Sequence, residues 1–250
     1  MRAIDHYAWT NRWRNRHPAE KLLPAFSLLL LTLLLPPLTT GPLVLLLTTL
    51  ATVQGAGVPL HAFWNVMAVP AAFLLVGAPF LAVSISFAGG LNLHLSPDGA
   101  WLALETTVRA LAAVSCLAFL TLTTPLVDWA PLLRRLGTPA SVVELILLMY
   151  RLIFVFAERA LTGRQAQAAR LGYARVDRSL YSIGLLAGNL FQRGLDRARR
   201  LEIGLAARGY TGELRVLTPD RSLSWSRLAT AMLLVGCTGL IGGLLAREWT

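Results

Sequence analysis

Two segments of this sequence end alike. Gln165-Ala166-Gln167-Ala168-Ala169-Arg170-Leu171-Gly172-Tyr173 and Leu205-Ala206-Ala207-Arg208-Gly209-Tyr210 share Ala-Ala-Arg followed by glycine and tyrosine. In each, an alanine-rich helical stretch carries an arginine to its carboxyl end, just ahead of a glycine suited to the left-handed conformation that terminates helices. The arginine is thereby projected from a helix tip. Its charge favours the carboxyl end of the helix dipole, and its planar fork is able to bond a partner's carboxylate in bidentate fashion. One such residue reads as an ordinary capping arginine; two copies 38 residues apart weigh against that reading.

A second pattern lies upstream. Residues 141–161 read as one helix, opened by Pro139 and Ser141 and apolar except for Glu144, Arg151 and Glu158. These three recur every seven residues, so they share one face with alternating sign and are able to pair with a partner helix or along the stripe. The stripe is either a solvated or interfacial face or a helix-docking seam. Between the two arginine-bearing ends, residues 180–207 are long enough for a helix of about seven turns with Ile183, Leu186, Leu190, Leu201 and Leu205 set among Arg193, Arg197, Arg199 and Arg200. A basic amphipathic helix of this kind lies on anionic headgroups or seats its apolar face in a partner's groove.

Other chemistry is excluded by what the residues lack. Of 23 basic residues, 22 are arginine, and the one lysine, Lys21, sits in Pro18-Ala19-Glu20-Lys21-Leu22. A phosphate-binding loop needs Gly-Lys-Ser/Thr, so the chain has no Walker A site and any ATP chemistry must come from another subunit. His6, His17, His61 and His94 are dispersed without metal-ligand spacing, and Cys116 and Cys237 read as small core residues; no metal site or cofactor is expected. Glu105 and Arg109 stand four apart within an apolar run, placed to neutralise each other as an internal pair or to serve a transport relay. An intramembrane enzyme assembled from His94, Asp98 and Glu105 is the alternative from another class, although no His-Glu-x-x-His or Gly-x-Ser-x-Gly motif is present. Binding of nucleic acid is not expected, because the basic segment lacks interleaved aromatic residues for stacking.

The elements that position these residues follow from composition. The chain has 250 residues, 55% hydrophobic and only 14% charged, with a net charge of +10. A soluble domain carries about 25% charged residues, and a nucleic-acid binder shows no long apolar runs, whereas runs of about 20 apolar residues span a bilayer. An all-α polytopic membrane protein with about five transmembrane helices is predicted. The runs are 22–35, 42–53, 62–88, 101–122 and 228–245. The first two, separated by Pro36-Pro37, are short and form either a tight helical hairpin or a shallow re-entrant pair; the third carries Pro70 and Pro79 and ends at Gly89-Gly90. No cleavable signal is evident, so the first run is expected to stay in the mature protein.

Charge orients the chain. Residues 1–21 carry Arg2, Arg12, Arg14, Arg16 and Lys21, residues 159–215 carry eleven arginines against four acids, and the loop 89–100 carries no cation. Cationic flanks stay in the cytoplasm, which places the amino terminus inside. The expected division is 1–21, a cytoplasmic segment; 22–123, about four spans; 124–226, cytoplasmic or interfacial helices; and 227–250, a last span with a short tail.

This arrangement resembles the transmembrane coupling subunits of energy-coupling factor transporters. More narrowly, Ile4-Asp5 through His17-Pro18-Ala19-Glu20-Lys21-Leu22-Leu23, together with the helix around Tyr150-Arg151, is similar to the CbiQ branch, and the resemblance covers most of the chain. It implies that 124–226 is a coupling region and that two Ala-Arg-Gly or Ala-Arg-Ser type signatures each dock one ATPase. Ala207-Arg208-Gly209 matches outright; Ala169-Arg170-Leu171 departs, with Gly172 one place later. The implied partners are two CbiO-like ATP-binding subunits, a CbiM-like membrane subunit that binds substrate, a small CbiN-like accessory protein and membrane lipid. The implied role is that of a non-catalytic subunit of a bacterial inner-membrane importer for cobalt; the same role for nickel or a vitamin is the alternative.

Overall fold

The computed structural model describes residues 2–86, 92–95, 97–210 and 221–247. In chain order the elements are α1 (Arg2–Thr10), α2 (Ala19–Leu34), α3 (Pro37–Leu50) with a π-helical turn at Ala51–Gly55, α4 (Leu60–Ala82), β1 (Val83–Ser86) and β2 (Asn92–Leu95). There follow α5 (Pro97–Thr123), a 3-10 turn at Leu126–Trp129, α6 (Ala130–Arg135), α7 (Ala140–Ala169), α8 (Val176–Ala206) and α9 (Trp225–Arg247). They fall into two units, Met1–Asp128 with Pro219–Thr250, and Trp129–Thr218.

In the first unit, leucine-rich α2 breaks where the sequence demands it. Leu35 precedes a proline and is extended (φ −102°, ψ 161°), and Pro37 then opens α3. Helix α5 packs against α1, α2, α3 and α4, while α9 covers α2 and α3. Its apolar contacts form two clusters: Phe63, Met67, Ala118 and Leu122 in one, Leu28, Val44, Ala112, Cys116 and Val235 in the other. Between α3 and α5 the hydroxyl of Thr48 donates to that of Ser115 at 2.9 Å, which satisfies two buried polar groups in an otherwise apolar contact.

One expected span is shorter than its apolar run. Residues 62–88 read as a single helix, but α4 passes Pro70 and Pro79, ends at Ala82 and gives way to a two-stranded antiparallel hairpin in which Val83 faces Leu95 and Ser86 faces Asn92. Val83-Ser84-Ile85-Ser86 alternates β-branched and polar residues, the period-two pattern of a strand. Gly89-Gly90 lies outside the described residues.

Among the described residues, five helical segments are long and apolar enough to cross a bilayer: Pro37–Gly55, Leu60–Ala82, Pro97–Thr123, Ala140–Ala169 and Trp225–Leu245. The number agrees with the sequence; by length and composition alone the set includes α7 and leaves out α2. Helix α2, at 16 residues, reaches only about 24 Å against a core of about 30 Å. Helix α7 qualifies by length and composition because the helix over 141–161 continues unbroken to Ala169. With Val69, Phe73, Val76 and Phe80 exposed along α4, the chain is a multi-pass membrane protein.

Candidate functional site

Both arginine-bearing ends lie in the second unit, and both close with the same hydrogen bonds. At the end of α7, the Gly172 amide donates to Gln167 O (2.9 Å) and the Leu171 amide to Ala168 O (3.0 Å). At the end of α8, Tyr210 donates to Leu205 O (3.1 Å) and Gly209 to Ala206 O (3.0 Å). Each is a Schellman closure, in which the second residue past the cap bonds back five residues and the first bonds back three, within that ring. Residue for residue, Gln167 corresponds to Leu205, Arg170 to Arg208 and Leu171 to Gly209. Both arginines therefore occupy the cap position of the same motif, and both are exposed.

The left-handed residue of the first tip is Leu171 (φ 57°), where the sequence pointed to Gly172; in the second it is Gly209 (φ 70°), as expected. Gly172 is committed to a different task. A Cβ there would approach Gln167 O to 2.9 Å and Ser182 Oγ to 2.8 Å, so only glycine lets α8 start this close to the tip. Leucine carries the left-handed strain instead, at a cost of about 1–2 kcal/mol.

Each tip is secured by a hydrogen bond from its tyrosine to a polar side chain, a pairing that sequence reasoning did not foresee. Tyr173 Oη donates to Gln167 Oε1 (2.7 Å), Gln167 Nε2 to Ser182 O (2.9 Å), and Ser182 Oγ to Gly172 O (2.9 Å). At the second tip Tyr210 Oη donates to Glu144 Oε2 (3.3 Å), and Arg134 Nη2 stands 3.7 Å from Glu144 Oε1. The tyrosine shared by both segments was the available signal. Since Glu144 belongs to the first turns of α7, the second tip lies beside the start of α7 and the first at its end. The 31 residues of α8 thus hold Arg170 and Arg208 about 45 Å apart. A groove of about 820 Å³ between α7 and α8 carries Arg159, Arg170, Arg178 and Arg193 on its walls.

The stripe of Glu144, Arg151 and Glu158 separates in the fold. Glu144 is buried, Arg151 and Glu158 are exposed, and among the described residues no ion pair joins the three. Seven residues along a helix span about 10.5 Å, too far for one side chain to pair with the next. Glu105 and Arg109 likewise form no ion pair among the described residues, and the buried Nε of Arg109 has no hydrogen-bond partner.

The histidines go to separate tasks. His17 Nδ1 accepts from the Ala19 amide (3.2 Å) at the start of α2, and His61 Nε2 meets Tyr7 Oη at 3.2 Å. His6 meets Tyr7 edge to face. His94 lies in β2 opposite Ser84, Asp98 in the first turn of α5 and Glu105 two turns on; the side chain of His94 is outside the described residues. Among the described residues no three His, Cys, Asp or Glu side chains are grouped to hold a metal.

Comparison with known proteins gives a consistent result. Residues 10–219 match the family model for CbiQ, described as cobalt transport protein. The chain is 44% identical over 217 residues to the cobalt transport protein CbiQ of Rhodobacter capsulatus, covering 86% of this chain and 87% of the relative. It is 29% identical over 226 residues to the protein of the same name from Salmonella typhimurium, covering 86% of this chain and all of the relative. A putative fused cobalt transport protein CbiMQ of Methanocorpusculum labreanum is 30% identical over 175 residues, which are 70% of this chain and 29% of the fusion.

Proposed function

The chain belongs to the CbiQ family of cobalt transport proteins, and we propose that it is the transmembrane coupling subunit of an ATP-driven cobalt importer of the energy-coupling factor type. Two CbiO-like ATPases engage Ala169-Arg170-Leu171 and Ala207-Arg208-Gly209, one at each tip. Their closure on ATP moves the tips, and the helices that carry them pass the motion to a CbiM-like substrate-binding subunit, assisted by a small CbiN-like protein in the bacterial inner membrane. The amino terminus faces the cytoplasm, as the arginine distribution requires.

The observation that carries this reading is the equivalence of the tips. Two exposed arginines occupy the same cap position in the same closure, at the two ends of one long helix. A pair of identical ATPases needs two like contacts set apart, and each contact needs a rigid, outward guanidinium able to bond a carboxylate. The Tyr173 and Tyr210 hydrogen bonds supply the rigidity. Two further facts support the assembly: the only lysine is buried beside Thr123 and is no phosphate ligand, and the name of the Methanocorpusculum relative joins CbiM and CbiQ in one polypeptide.

The test is charge reversal. Arg170→Glu and Arg208→Glu, separately and together, are expected to weaken and then abolish co-purification with the two ATPases and cobalt uptake. Assembly and uptake at the unaltered level in the double variant would remove the docking role.

A further inference from the structure

The first unit contains a cluster of buried charge that the tips do not use. The polypeptide leaves this unit after Asp128 and returns to it before Arg221, so everything that reaches the tips passes through these two points. Both points end on one carboxylate. Asp128 Oδ2 accepts from Arg14 Nη1 at 2.7 Å and from Arg221 Nη1 at 2.8 Å, with side-chain exposures of 7% for Asp128, 19% for Arg14 and 12% for Arg221. The departing passage is therefore bonded to the returning one, and both are bonded to the amino-terminal segment.

The same segment holds the ends of the helices on either side. Thr123 O, the last carbonyl of α5, accepts from Lys21 Nζ (2.9 Å) and Asn11 Nδ2 (3.1 Å). Just ahead of α9, the Ser224 amide donates to Glu20 Oε1 (2.8 Å), while Arg227 Nη1 stands 3.7 Å from Glu20 Oε2. Arg14 is further fixed by its guanidinium lying 4.4 Å from the Trp9 ring centroid. Four cations, Arg14, Lys21, Arg221 and Arg227, thus gather around Asp128 and Glu20.

Burial of charge on this scale is a poor way to gain stability, because desolvation offsets the attraction and apolar side chains of like volume do as well. What paired charges supply is registry: a carboxylate that accepts from two guanidiniums fixes the position of both. We propose that Asp128, Arg14 and Arg221 form a clasp that locks the outgoing and returning passages together, so that motion of the intervening coupling unit reaches α5 and α9 jointly instead of being absorbed in the connecting chain. Asp128 and Arg221 are positioning residues, distant in function from substrate and nucleotide. This role rests on the coupling function proposed above.

Arg221→Gln separates the two ideas, since it leaves Asp128 paired with Arg14 and releases only the return passage. In the complete transporter in liposomes, ATPase co-purification is expected to persist and ATP hydrolysis to stay within about twofold, while cobalt taken up per ATP falls at least about fivefold, the lower end of ordinary inter-site coupling. Arg14→Gln, which releases the other arm, is expected to lower the same ratio, and Arg221→Lys to restore part of it. An unchanged ratio in both glutamine variants overturns the clasp, and so does loss of co-purification, which would make the cluster merely structural. Amide exchange reports on the clasp without transport: in Arg221→Gln the segment 221–228 should exchange faster while 119–123 stays protected, and an unchanged pattern also overturns it. If the coupling role itself fails, Arg170→Glu with Arg208→Glu leaves assembly intact, whereas the exchange difference is unaffected.

Discussion

Arginine has opposite surroundings in the two units. In the first, Arg14 and Arg221 converge on a buried carboxylate; in the second, Arg170 and Arg208 stand exposed on the caps of long helices. A buried guanidinium must be paired, so removal of its partner is felt by the whole fold. An exposed one costs little to remove and is free to meet another chain. The same residue type is thus an anchor in one unit and a contact in the other, and stability should distinguish them.

The largest effect is expected at Asp128. Asp128→Ala strands two part-buried guanidiniums and should lower the unfolding free energy by about 3–5 kcal/mol, measured by denaturation in detergent. Next comes Lys21, whose Nζ is lowered by burial from 10.5 to about 8, an effect opposed by Asp128 and reinforced by Arg221, Arg14 and Arg16. Between about pH 8 and 10.5 the unfolded chain holds a proton that the folded lysine has lost, so stability should rise across that window by up to about 3 kcal/mol. Below it both forms are protonated and the contribution is flat. Lys21→Met should remove the rise; an identical pH profile in the variant would contradict the burial argument.

Smaller effects are expected in the second unit. Ser182→Ala removes the hydroxyl that holds Gly172 O and should cost about 1 kcal/mol. Leu171→Gly should add about 0.5–1 kcal/mol, as relief of left-handed strain exceeds the added freedom of the unfolded chain, whereas Leu171→Val should destabilise. Arg170→Ala and Arg208→Ala should change stability by no more than about 0.5 kcal/mol while weakening ATPase co-purification. A large stability loss in either would abolish the contrast between the two units.

The two tips show where sequence was legible and where it was not. The second reads directly, because Gly209 is both the residue after the arginine and the left-handed one. The first reads one place out of register, because glycine answers two demands that sequence does not separate: a positive φ and a close approach. At Gly172 the approach of Ser182, ten residues away, takes the glycine, and Leu171 accepts the backbone strain. Similarly, the seven-residue spacing of Glu144, Arg151 and Glu158 was visible, but Glu144 pairs outside the stripe, with Arg134 and with Tyr210, sixty-six positions away.

What the sequence alone determined is local or summed: the apolar runs that require a membrane, the break at Pro36-Pro37, the long basic helix, and the arginines at the ends of α7 and α8. Helix propensity, proline geometry and hydropathy act over a few residues or add along a segment, so composition and spacing reveal them. Only the tertiary structure decided which charges are buried. That Lys21 reaches Thr123, and that Arg14 and Arg221 meet on Asp128, depends on packing that joins segments about a hundred residues apart. Long-range pairing leaves no periodicity in the chain, and folding alone separates the arginines that hold the protein together from those that face outward.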